Sequence, residues 1–164
     1  MPSLPSKVTF PWISIEVDVD GGLEEPTDEE CEAIANMAAW TDSLRTKLER
    51  ACFADYLAKI YAIDAKPPTV PVIKEPEHVW QHVDVRTVCP QGRDFIVVYA
   101  VPEWDLDEHH EWCVHGTDEL VYVGQVISYS AEGYFDIDET INRARNYDEI
   151  IQQFGHLPLQ WADD

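Results

Sequence analysis

Positive charge is what this chain has least of. Its 164 residues carry 11 Lys and Arg against 32 Asp and Glu, a formal net charge of −21. Proteins that grip nucleic acid neutralise phosphates with cations, so this balance excludes direct nucleic-acid binding. Glycine is sparse too, at 7 residues. None stands in a phosphate-cradling or dinucleotide-binding pattern; Gly21-Gly22 and Gly116 read as turn residues. No run of about eighteen apolar residues occurs, which argues against a membrane-spanning helix. The opening MPSLPSKVTF lacks the apolar centre of a secretion signal, and the expectation is a cytoplasmic protein. The four cysteines, Cys31, Cys52, Cys89 and Cys113, are spaced as in no zinc motif. They read as reduced, mostly buried, small apolar side chains. No nucleophile elbow surrounds Ser128 or Ser130. With no signature of catalysis, the reading is a protein without chemistry of its own and without a cofactor.

What is present is a core. The 6 Trp, 7 Tyr and 5 Phe argue for a packed interior, and the length suits one domain over residues 1–164. Val8 to Phe10 and Trp12 to Val19 predict a strand, or a strand pair bent at Pro11. In the second, Ile13, Ile15, Val17 and Val19 alternate with Trp12, Ser14, Glu16, Asp18 and Asp20. That pattern gives one buried and one acidic face, on what reads as an edge strand. Thr27-Asp28-Glu29-Glu30 is a capping box. It opens a helix to about Ala39, with Cys31, Ile34, Ala35 and Ala38 inward. Thr41 or Asp42 caps a second helix, to about Ala62. Its stripe of Leu44, Leu48, Cys52, Tyr56 and Ile60 is widened by Phe53, Leu57 and Tyr61, which suits packing on a sheet.

Pro67, Pro68 and Pro71 stiffen a crossover between residues 65 and 72. Pro76 suits the first position of a short helix with Val79, Trp80 and Val83 inward. Val83 to Val88, Phe95 to Val101, Glu111 to His115 and Leu120 to Val126 then predict an antiparallel meander. A last helix is expected over Asp138 to Phe154, capped by Asp136 or Asp138 and stopped at Gly155. Its inward positions are Ile141, Ala144, Tyr147 or Asp148, Ile151 and Phe154, and Trp161 beyond it docks on the body. The fold class is α+β: an antiparallel sheet of five or six strands with helices packed on one face.

The acids are not spread evenly. From Asp94 to Asn142 there are twelve Asp and Glu and no Lys or Arg. Charge so concentrated steers basic partners and speeds their encounter. The candidate contact residues are Glu103, Trp104, Asp105, Asp107 and Glu108, with Glu16, Asp18 and Asp20 as a second strip. Trp104 reads equally as an aromatic anchor inside an acidic rim or as a core residue. His109, His110, Cys113 and His115 form the one metal-like cluster. Three such ligands and a water suit a catalytic zinc, so a metal-dependent hydrolase built on His109 and His115 is the alternative reading. Within the cluster no Cys-x-x-Cys or His-x-x-x-His pair supports it.

The order Trp104, Glu108-His109, His115-Gly116, Asp118, Val121 and Val123-Gly124 resembles DUF6985, a family of bacterial domains of unknown function. The family pattern often has Gly after Glu-His, where this chain has His110. It often has a basic residue after the Asp, where this chain has Glu119. The resemblance implies a member of the toxin-immunity neighbourhood. Such a protein binds and neutralises a cognate toxin, here a basic one, by occluding its active site. A non-catalytic adaptor domain is a further possibility.

Overall fold

The computed structural model describes residues 3–22, 24–61, 70–105, 108–127 and 131–155. Six strands form one sheet in chain order: β1 (Lys7–Phe10), β2 (Ile15–Val19), β3 (Val83–Gln91), β4 (Phe95–Pro102), β5 (His110–His115) and β6 (Glu119–Gln125). β3 to β6 are the expected antiparallel meander. β1 and β2 make an antiparallel hairpin. The junction of β2 with β3 is parallel, through Asp18↔Thr87 and Val19↔Val88, so the sheet is mixed rather than wholly antiparallel. Between those strands the chain leaves the sheet and runs through both long helical segments before returning. Parallel neighbours require such a crossover, whereas antiparallel ones can share a tight turn. The same junction corrects the edge assignment. β2 is an interior strand, and β1 and β6 are the edges.

The β1–β2 turn departs from the simple alternation. Trp12 and Ser14 take left-handed backbone angles, φ 74° and 52°, a costly conformation for a bulky residue. It turns the Trp12 ring away from the acidic face and onto Trp40 at 5.8 Å and Trp80 at 5.9 Å. Ile15, expected inside, is 38% exposed, because it lies at the end of β2 next to this turn.

α1 (Asp28–Asn36) starts on the expected capping box, with both reciprocal bonds present. Its inner face is Ala33, Ile34 and, just beyond, Met37. Ala35 and Ala38 are exposed and Cys31 is half-buried. The larger side chains set the helix rotation, since Met37 and Ile34 bury far more apolar area than two alanines. α2 (Asp42–Ile60) is capped by Thr41, whose hydroxyl accepts from Leu44 N at 3.1 Å. It is buried on every side from Ala51 to Leu57. The sheet covers one flank, a 3-10 segment at Pro76–His82 the second and α3 (Arg143–Phe154) the third. Among the described residues no helix is long and apolar enough to cross a membrane.

Two cores flank the sheet. The larger lies between the sheet and the three α-helices and includes Phe10, Val17, Val88, Val98, Trp112 and Val123. The smaller, on the outer face, is Phe95, Val97, Cys113, Val121 and Tyr122 under Tyr134. Tyr134 comes from a 3-10 segment, Ala131–Asp136. So all three α-helices sit on one face, as expected, while part of the opposite face is also covered. The last helix begins five residues later than the sequence suggests. Asn142 is its cap, and Asp138 instead closes a local turn onto Thr140. Ile141 lies outside the helix and is 53% exposed. Most of the 65–72 crossover, Trp161, Ser128 and Ser130 fall outside the described residues.

Candidate functional site

The densest polar construction sits at the end of the sheet where β4 hands over to β5. α2 brings Asp55 against β5, because the alternation of that strand points His110 and Trp112 toward the helices. Asp55 Oδ2 accepts from Trp104 Nε1 at 3.0 Å and from His110 Nε2 at 2.8 Å. Its Oδ1 faces Arg143 Nε of α3 at 3.2 Å. Trp112 Nε1, which can only donate, lies 3.5 Å from His110 Nδ1. That assigns Nδ1 as an acceptor and places the ring proton on Nε2, donating to Asp55. Burial works to raise the Asp55 pKa, but His110, Trp104 and Arg143 outweigh it and hold the carboxyl well below the usual range. Beside this node Lys59 Nζ pairs with Asp105 Oδ2 at 3.0 Å. Burial disfavours the Lys59 charge, yet the Asp105 bond and the surrounding carboxylates more than restore it. The Asp55 and Asp105 carboxylates thus each have a cation against them, Arg143 and Lys59. A cavity of ≈ 160 Å³ opens here, lined by Asp55, Lys59, Tyr122, Thr140 and Arg143 among others.

A second buried acid lies on the other face of the same strand. Glu111 is fully buried and accepts from Tyr134 Oη and from Ile127 N at 3.3 Å. Tyr99 also bonds it, and burial together with the Glu111 charge pushes the Tyr99 hydroxyl up to about 12. His110 and Glu111 are thus adjacent in sequence but anchor opposite layers. Beyond the edge of β6, Asn142 acts as a short substitute strand. Its side chain accepts from Val123 N at 3.3 Å, donates to Val121 O at 2.9 Å and accepts from Ala144 N at 3.0 Å.

The sequence candidates separate into two groups. Near the node, Trp104 is 4% exposed with its N–H spent on Asp55. Its two readings resolve to the core one, and it cannot anchor a partner from there. Asp105 is also drawn inward, 13% exposed against Lys59. Glu103 remains out, bonding His82 Nδ1 at 2.9 Å. Glu108 is exposed, and Asp107 lies outside the described residues. The second strip stays together. Glu16 and Asp18 of β2 and Asp20 just beyond it lie on the face away from the helices, since Val17 and Val19 pack inward.

The histidine cluster does not converge. His110 is in the helix-side core, while His115 at the far end of β5 bonds Glu119 and stacks on Phe95. Cys113 is buried, and burial, then Glu111 and Glu119, push its thiol up to about 12, which disfavours the thiolate a metal needs. Among the described residues no three His, Cys, Asp or Glu side chains group to hold a metal ion.

Asp55, Arg143 and Asn142 were not singled out by sequence reasoning. Asp55 did carry a signal: it breaks the apolar run of α2 at a position flanked by buried neighbours. Nothing local marks Arg143 or Asn142, whose partners lie 88 and 19 to 21 residues away.

The family described as a domain of unknown function, DUF6985, matches residues 5–129. That stretch spans all six strands, α1 and α2, and stops short of Tyr134, Asn142 and Arg143. No curated protein and no solved structure matches the chain.

Proposed function

The chain belongs to the DUF6985 family, and from that premise we propose that it is an immunity-type binding protein. It acts in the cytoplasm, docks on a basic toxin and occludes that toxin's active site, with no catalysis of its own. The observation that carries this reading is how the molecule uses its few cations. Of the 11 Lys and Arg, Lys7, Arg45, Arg50, Lys59, Arg86, Arg93 and Arg143 are already in ion pairs within the fold. Lys47 is bonded to the Asp118 carbonyl. The cations are thus largely committed, while Glu16, Glu24, Glu25, Glu77, Glu108 and Glu149 are exposed. A field of one sign steers an oppositely charged protein and raises its association rate.

Glu16, Asp18, Asp20, Glu103 and Glu108 are the contact residues this reading retains. Trp104 and Asp105 support the fold instead. The test is calorimetry and stopped-flow binding with the product of the adjacent upstream gene, at low and at moderate salt. One-to-one binding, with association that slows as salt rises, is expected from screening. Absence of binding at micromolar concentration, or binding indifferent to salt, overturns the reading.

A further inference from the structure

The two acidic groups named above lie on different parts of the molecule, and the fold distinguishes them. We propose that the partner docks on the outer face of the sheet, in the shallow trough between β2 and the 3-10 segment Ala131–Asp136. This deepens the immunity reading and rests on it.

Among the described residues, the outer face is the broad side of the sheet left less covered. The helices bury the inner face, and the 3-10 segment covers the outer face only over β4 to β6. What remains is a strip about two strands wide, on the order of 10 Å. Its floor is Thr87, Cys89 and Tyr99, all half-buried. The cross-strand register sets these side by side: Asp18 opposite Thr87, Thr87 opposite Tyr99. One wall is the acidic row of β2, Glu16, Asp18 and Asp20. Lys7 is the one cation of the β1–β2 hairpin. Its pair with Asp18 spans 3.4 Å with both side chains more than half exposed, so it offsets little of that charge.

The other wall is aromatic. Phe135 is 39% exposed and stands edge-on to Phe95 at 6.0 Å and to His115 at 6.4 Å. Glu119 holds His115 through Nδ1 at 2.7 Å. Asp118, Glu119 and Asp136 are exposed around this aromatic group.

An exposed aromatic inside an acidic rim, facing an acidic row across a polar floor, defines the occupant. It is a protein surface presenting Arg or Lys, whose guanidinium or ammonium groups meet the β2 row while their stems and one apolar side chain lie against Phe135. Nucleic acid and anionic membrane are excluded by the same charge. The loop acids Glu103 and Glu108 lack this pairing, because the neighbouring aromatic, Trp104, is turned into the core.

The experiment uses the full chain and the adjacent-gene product, with two double variants of equal charge change. Glu16→Lys with Asp20→Lys reverses the row. Glu77→Lys with Glu149→Lys reverses exposed acids on the helix side. If the outer face docks the partner, the first pair slows association about tenfold, and the second changes it less than about twofold. Phe135→Ser, made separately, speeds dissociation about tenfold, while circular dichroism confirms that it is folded. Equal effects of the two charge pairs, or an unchanged dissociation rate in Phe135→Ser, overturn the placement and leave the immunity reading standing. No binding by the unaltered chain overturns both.

Discussion

Replacing Asp55 with Ala tests the argument that one buried carboxylate ties four elements together. The substitution orphans Trp104 Nε1 and His110 Nε2, in residues 4% and 1% exposed. Each stranded donor costs about 1–3 kcal/mol. It also unpairs Arg143. Breaking a buried pair costs about 3–5 kcal/mol, and the low end applies because Arg143 keeps 17% exposure and a long bond to the Thr140 carbonyl. These contributions overlap, so the expected loss at neutral pH is about 4–6 kcal/mol, a large part of a typical total of roughly 5–15. Asp55→Asn keeps one acceptor oxygen and loses about half as much.

Urea unfolding followed by tryptophan fluorescence measures both losses. The pH dependence gives a second readout. The Asp55 pKa is depressed in the folded state below its ordinary 3.8. Its contribution is therefore fully present above that value and is lost as pH falls toward the folded pKa. The gap between wild type and Asp55→Asn is then constant near neutrality and narrows in acid. A loss under about 1 kcal/mol for Asp55→Ala at neutral pH would refute the tie, since it would mean the donors find other acceptors.

Trp104→Phe keeps an aromatic ring but removes the N–H bond to Asp55 and leaves a small cavity. It is expected to cost about 2–4 kcal/mol in the same denaturation assay, while leaving the affinity for the adjacent-gene product unchanged. Asn142→Ala removes three side-chain bonds and uncovers the β6 edge. A loss of about 2–3 kcal/mol is expected, and hydrogen exchange should accelerate at the Val123 amide more than at interior β4 amides.

The strands and the first two helices with their caps were legible because each is written locally. Thr27 and Glu30 are three residues apart, and the alternation of β4 to β6 needs no distant information. Trp12 was misplaced because the period-two pattern continues through a turn in which its ring packs on Phe10, Trp40 and Trp80. Trp104 was balanced between two readings until Asp55, forty-nine residues away, supplied an acceptor. The parallel join of β2 to β3 was invisible for the same reason: strand patterns specify faces, not neighbours. The candidate surface was half legible. The β2 acids announce themselves, but Phe135 stands in a polar stretch with no periodicity and gains meaning only from its seat on Phe95 and His115.

The parallel join also bears on how the molecule comes apart. The meander and α2 are built from near neighbours or from large buried areas. Within the sheet the β1–β2 hairpin joins that body through two register pairs and the bond from Asp20 N to Val88 O at 2.9 Å, while Phe10 and Val17 seat it in the larger core. Contacts between residues about seventy apart form late and carry a high loop-closure cost. The hairpin is thus joined to the rest of the sheet by its shortest ladder, and hydrogen exchange resolves opening there. The strand that bears the acidic row hangs on that ladder. A partner seated across β2, β3 and β4 would rivet that strand in place, so occupancy and local order would rise together.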